Sequence, residues 1–299
     1  MKIRLVSLLA IQLAALVALP SARGADETPV ATTEEPRPRI IPLNPHSRVA
    51  IQYAFGVQNM TVPDADSNTF GVNASASIEG RLPSGINLKL DGTLFLDFDQ
   101  DHLDPHHTPL WLQLHFGLAR EIWQSSTPDA WHLSWVIDVD NRANTVSSIE
   151  RDLKLTPGLA AGAKLGILSV EAKLGYGYQY LVIDDDVPRE RGYDRDDLKN
   201  HAWAIAPSLE ANLQLTQYFK LTGRAQEWHD GSTWLETKYF AALDWDLSRF
   251  LPYADLMFSV EATEYNLSLS APTGKPPGYL PILPWNDDRL VKLSANVKW

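Results

Sequence analysis

Cysteine is absent from the 299 residues. Its absence removes a disulfide framework, a thiolate metal site and a cysteine nucleophile. Positive charge is scarce: 26 Lys and Arg face 37 Asp and Glu, a formal charge of -11. A general nucleic-acid binder needs a basic face, so no nucleic-acid partner is expected. Past the first two dozen residues, no apolar run approaches the ~20 residues of a spanning helix. Nothing in the body points to a bound cofactor.

What is present begins with a leader. Residues 1–24 read as a secretory signal. Lys2 and Arg4 form its positive end, a run from Leu5 to Leu19 is almost wholly apolar, and Pro20 breaks the run. Ala22 and Gly24 put small residues where a signal peptidase reads, so cleavage is expected before Ala25. Residues 25–46 mix proline and glutamate without periodicity and are expected to be a disordered periplasmic tail.

From residue 47 to 299 the apolar period is two, not 3.6. The last segment shows it best: Val291, Leu293, Ala295, Val297 and Trp299 alternate with Lys292, Ser294, Asn296 and Lys298. Twelve such segments are expected, near 48–58, 69–82, 86–99, 110–123, 131–144, 153–165, 168–183, 203–216, 219–229, 234–248, 253–266 and 289–299. Connections after the even-numbered segments are short. Those after segments 1, 3, 5, 7 and 11 are longer and polar, and the ninth is modest. This layout predicts an all-β, twelve-stranded antiparallel transmembrane β-barrel with short periplasmic turns and longer extracellular loops.

A soluble barrel alternates too, but turns its apolar face inward. Strand length and aromatic placement favour the membrane. Trp131, Phe219, Trp245, Tyr253 and Trp299 are expected at the periplasmic rim, and Tyr178, Tyr180, Trp203 and Tyr265 at the outer one. The closing stretch LVKLSANVKW resembles the C-terminal targeting strand of Gram-negative outer-membrane proteins, which ends in Phe or Trp. The resemblance implies that Trp299 is an assembly signal read by the barrel-assembly machinery. It also implies periplasmic chaperones, lipid and lipopolysaccharide as partners, and an outer-membrane location.

With apolar residues toward lipid, the other face lines the lumen. It includes Asp97, Asp140, Arg142, Lys154 and Glu236. The pore-lining candidates are Lys89, Asp91, Asp138, Glu171, Lys173, Glu210, Arg224, Lys238, Glu261 and Lys292. Acids and bases balance, so no ring of one sign is expected. Inward small residues at Gly158, Ala160, Gly162, Gly175 and Gly177 are expected to make room. A narrow passive channel for small polar solutes follows, with a closed structural barrel as the alternative.

Three shorter signals remain. Trp228-His229-Asp230-Gly231 is similar to a stretch in the nucleoside-specific channel family, which makes Trp228 a candidate stacking surface. The twelve-stranded count also resembles solitary autotransporter-like barrels. His132-Leu133-Ser134 echoes the His-x-Ser of the outer-membrane phospholipase family. There, however, an Asn stands on the next strand, and residues 153–165 have none, so an enzyme is the third and weakest reading. Asp101, His106 and His107 offer imidazole and carboxylate to a divalent ion, but a solvated loop is the preferred account and no metal is expected.

Overall fold

An alternating strand has one apolar and one polar face, and both of its edges need partners. In the computed structural model the chain meets that need by closing on itself. The structure describes residues 49–62, 67–82, 84–98, 110–125, 131–143, 149–183, 201–231, 234–247, 249–251, 254–265 and 287–298. The strands are β1 (Val49–Val62), β2 (Ser67–Arg81), β3 (Asn87–Asp97), β4 (Leu110–Gln124), β5 (His132–Ala143), β6 (Ile149–Leu165), β7 (Leu168–Ile183), β8 (His201–Gln214), β9 (Phe219–His229), β10 (Trp234–Asp246), β11 (Ala254–Tyr265) and β12 (Asp287–Lys298). Each pairs antiparallel with its sequence neighbours, and β1 pairs with β12, so the sheet is a closed barrel.

The expected segments and the observed strands correspond one to one. β1, β6 and β12 run further than expected, to Val62, from Ile149 and from Asp287. The apolar alternation ends before the strand does. Beyond it, outward positions are polar, as at Asn59, Thr61, Arg151 and Arg289, while the ladder continues.

The connections after even-numbered strands lie at one end, here called the lower end, where β1 also begins and β12 finishes. At the upper end three connections are long, spanning 98–109, 184–200 and 266–286. Those after β1 and β5 take only residues 63–66 and 144–148, so the expected contrast in length does not extend to them.

The faces are inside out relative to a soluble barrel. Phe55, Leu94 and Leu174 point outward with 61%, 47% and 60% of their surface exposed, while Gln58, Asp97, Arg142, Lys154 and Glu236 are buried inside. In water, that outer wall would be a continuous apolar patch. In lipid it is the normal surface of a membrane-spanning barrel, whose strands leave no backbone group unpaired at an edge. No helix among the described residues is long and apolar enough to cross a membrane.

Aromatics stand on the outer wall toward both rims. Phe219 stacks on Trp245 at the lower end, with centroids 5.7 Å apart, and Trp203 packs on Tyr176 and Tyr178 toward the upper end. Tyr265 is a correction. It shares the parity of Glu261, so it points into the lumen and is buried there instead of joining the upper girdle.

Two local features shape the wall. At Gly56, Gly71, Gly158 and Gly177 a Cβ would strike a backbone oxygen of the neighbouring strand, so these positions need glycine for close approach. Gly158 and Gly177 therefore serve the close approach of β6 and β7. Pro157 and Pro207 lack the N–H that a ladder needs. Around them the pairing lapses: β6–β7 skips from Leu155↔Tyr178 to Gly158↔Gly175, and β8–β9 from Ile205↔His229 to Ser208↔Gln226.

The inside-out arrangement predicts an asymmetric response to charge. Leu94→Arg, outward on β3, should lower the folding free energy in vesicles by ~2–4 kcal/mol. Thr93→Arg, inward beside it, should be mild. Urea titration of vesicle-refolded protein measures both, and the reverse order would contradict a lipid-facing outer wall.

Candidate functional site

Inward positions on twelve strands converge on one lumen, and its filling changes from end to end. At the lower end a cavity of about 620 Å³ is lined by Glu79, Arg81, Lys89, His115, Asp138 and Lys173 among others. Above it lies a second cavity of about 310 Å³ that shares Lys89, His115, Asp138 and Lys173 with the first. All ten pore-lining candidates, namely Lys89, Asp91, Asp138, Glu171, Lys173, Glu210, Arg224, Lys238, Glu261 and Lys292, stand on the wall of this second cavity.

Around the cavities the charges pair locally. Lys89 lies 3.3 Å from Asp91 and 3.6 Å from Glu79, and Lys173 lies 3.5 Å from Asp138 and 3.7 Å from Glu171. The imidazole of His115 meets Asp140 at 2.8 Å through Nδ1. Lys238 donates to Glu261 at 2.9 Å.

Toward the upper end the pairs cross the lumen. Lys154 on β6 meets Glu236 on β10 at 2.5 Å and its own neighbour Asp152 at 2.6 Å, and Gln179 on β7 donates to Glu236 at 2.7 Å. Arg142 on β5 meets Asp288 on β12 at 2.9 Å and also donates to the Tyr265 hydroxyl on β11. Glu236 is 1% exposed, and Phe95 and Trp111 pack beside this layer as an edge-on aromatic pair.

These crossings fix the shape of the upper lumen. With strands ~4.8 Å apart and tilted ~40°, a circular twelve-stranded barrel is roughly 24 Å across. An Arg, an Asp and the hydrogen bond between them reach roughly 14 Å from backbone to backbone. β5 and β12 lie five strand steps apart, almost opposite. A round barrel would hold them beyond reach, so the section is flattened there, with β5 and β6 facing β10 to β12.

Several sequence-predicted residues are placed differently from expectation. Trp228 is inside the lumen but only 1% exposed. It packs against Ala202, Ala204, Ala206 and Leu235, and the Lys154 ammonium sits 5.6 Å from its ring centroid. Its stacking face is covered, so it is a structural member and not an open platform. The register shift between Trp234 and Glu236 lets Leu235 and Glu236 both turn inward against it. His132 faces the lumen, with Nε2 3.4 Å from Glu171, away from any lipid substrate. Asp101, His106, His107 and Trp299 lie outside the described residues, as do residues 1–46.

Asp152, Asp288, Phe95, Trp111 and Gln179 were not singled out from the sequence, and Tyr265 was assigned to the wrong face. Strict parity, carried two residues past the ends of the expected segments, would have found the first two. Phe95, Trp111 and Tyr265 have inward parity but apolar character, which drew attention to the outer wall instead.

The inward polar wall, the outward apolar wall and the partly filled lumen define a membrane-spanning β-barrel with a polar interior. No protein-family model matches the chain, and no curated protein does. Among solved structures, it is similar to an outer membrane channel from Pseudomonas putida F1 (TM-score 0.47, 10% identity, covering 91% of this chain and 100% of that one). It is also similar to the outer membrane phospholipase A from Escherichia coli (TM-score 0.43, 10% identity, 82% and 92%). A third is the KdgM porin in complex with disordered oligogalacturonate (TM-score 0.41, 9% identity, 84% and 99%). At such identities the likeness concerns the fold alone.

The buried ties predict a stability signature. Lys154→Met strands Asp152 and Glu236 and should cost about 3–5 kcal/mol. Adding Asp152→Asn and Glu236→Gln should recover most of that loss. Equilibrium unfolding of the single and triple variants checks the pair, and equal loss in both would show that the charges do not act together.

Proposed function

We propose that this chain is an outer-membrane barrel of a Gram-negative envelope that admits small polar solutes to a narrow lumen. The lower end, with its short turns, faces the periplasm, as is general for such barrels. Insertion would place lipid and lipopolysaccharide around the apolar wall, after periplasmic chaperones and the barrel-assembly machinery have delivered it. The observation that carries the channel reading is the unfilled, charge-lined space in the lower and middle lumen. A barrel serving only as a scaffold gains by filling such space with packed side chains, as smaller barrels do.

Among the described residues, side chains cross the upper lumen. The Arg142–Asp288 and Lys154–Glu236 crossings lie across the path, so passage requires them to part. The same crossings favour the second reading, a bolted structural barrel without transport.

Planar-bilayer recording of the refolded chain separates the two. The channel reading expects small, discrete steps from the unaltered protein. It also expects at least a roughly twofold larger step from Arg142→Ala, since one side chain of the crossing is removed. Verified insertion with silence from both proteins would establish the bolted barrel.

A further inference from the structure

Five of the seven Lys and Arg side chains on the middle cavity have a carboxylate partner within 4 Å: Lys89, Arg142, Lys154, Lys173 and Lys238. Arg224 and Lys292 have none among the described residues. Each sits over an aromatic ring instead. The Arg224 guanidinium is 5.3 Å from the Phe240 centroid, and the Lys292 ammonium is 5.0 Å from that of Phe95. A ring face holds a cation in place but brings no opposite charge and accepts no strong hydrogen bond. The N–H groups of both residues therefore remain available.

Their surroundings make this costly without a ligand. Arg224, Lys238 and Lys292 come from β9, β10 and β12 and interact electrostatically, with Glu261 on β11 as the carboxylate between them. Counting Glu210, the cross-strand neighbour of Arg224 on β8, three cations face two carboxylates, which leaves that wall with an excess of one positive charge. Lys292 is half-buried, where solvent screens it poorly, while Arg224 is exposed to the lumen and within reach of an arriving solute. Elsewhere the cavity holds six carboxylates against four Lys and Arg, so the positive excess is local to that wall.

From this we infer that Arg224 and Lys292 form an anion subsite in the middle lumen that takes the carboxylate head of a small solute. Arg224 offers a planar fork suited to two carboxylate oxygens, and Lys292 adds a point charge. Carboxylate is favoured over phosphate by the rest of the lining. The cavity carries eight carboxylates against seven Lys and Arg. A single negative charge matches the local excess of one, whereas a second would face the carboxylates of the rest of the lining. The volume of about 310 Å³ suits a compact solute and not a polymer. This assignment rests on the lumen being solute-accessible, and it names the solute class for the channel reading.

The test titrates acetate and inorganic phosphate separately into the refolded full-length chain in detergent, followed by calorimetry. Gel mobility before and after boiling verifies that each variant is folded. Saturable acetate binding, weakened about tenfold or more by Arg224→Gln and by Lys292→Gln, is the expected result. Lys220→Gln, whose residue pairs with Asp244 nearer the lower end at 3.1 Å, should leave binding unchanged. No saturable acetate binding, or equal binding in all variants, overturns the site. Tighter phosphate than acetate binding overturns the carboxylate assignment. Because binding is read without a bilayer, it stands apart from conduction. Binding by a protein that is silent in bilayers would retain the subsite and refute the channel, and conduction without binding would do the opposite.

Discussion

Everything in this barrel depends on the backbone pairing of β1 with β12. An open sheet would present unpaired N–H and C=O groups to hydrocarbon, at several kcal/mol for each. Closure removes that cost, and from closure the rest follows. Once the sheet is a cylinder, period-two alternation can only sort side chains into an outer and an inner set. Lipid outside then requires the apolar set to be the outer one. The inner set must solve a different problem, which is how to place many charges in a confined space.

The lumen solves it in two ways. Below, charges pair within a strand or across one or two strands, as Lys89 does with Asp91 and Glu79 and Lys173 with Asp138, and space is left for water. Above, they pair across the lumen, and the barrel flattens to let them meet. Crossing pairs are demanding because each partner is desolvated. Lys154 and Arg142 accordingly have more than one acceptor apiece, and Gln179 supplies an extra donor to Glu236. The price of a misplaced partner is highest in this layer.

The strand count and strand faces were legible from alternation, because one apolar residue in two is a direct imprint of a lipid-facing wall, and the same parity turns the ten candidates inward. The upper layer was less legible. Asp152 and Asp288 lie where outward neighbours have turned polar, so the pattern had stopped marking the strand. Trp228 was visible as an aromatic in the lumen, but its burial depends on Ala202, Ala204 and Ala206, on a strand paired with its own, and on a register shift in β10. Cross-lumen partners are separated by as many as 146 residues in sequence, and no local pattern encodes such a meeting. The flattening is a property of the closed cylinder and is invisible in any one strand.

The two prolines in the wall have a mechanical meaning. A closed barrel offers no edge on which to place a residue without an N–H, so Pro157 and Pro207 open gaps in the ladders on both sides of the β7–β8 pair. Over the same stretch β7 and β8 remain fully laddered to each other. That pair is thus a panel sewn along its middle seam and loosely stitched at its two outer seams. Under lateral pressure from the bilayer, a cylinder with such a panel bends along those seams first, and the stiffness of the wall is uneven around its circumference.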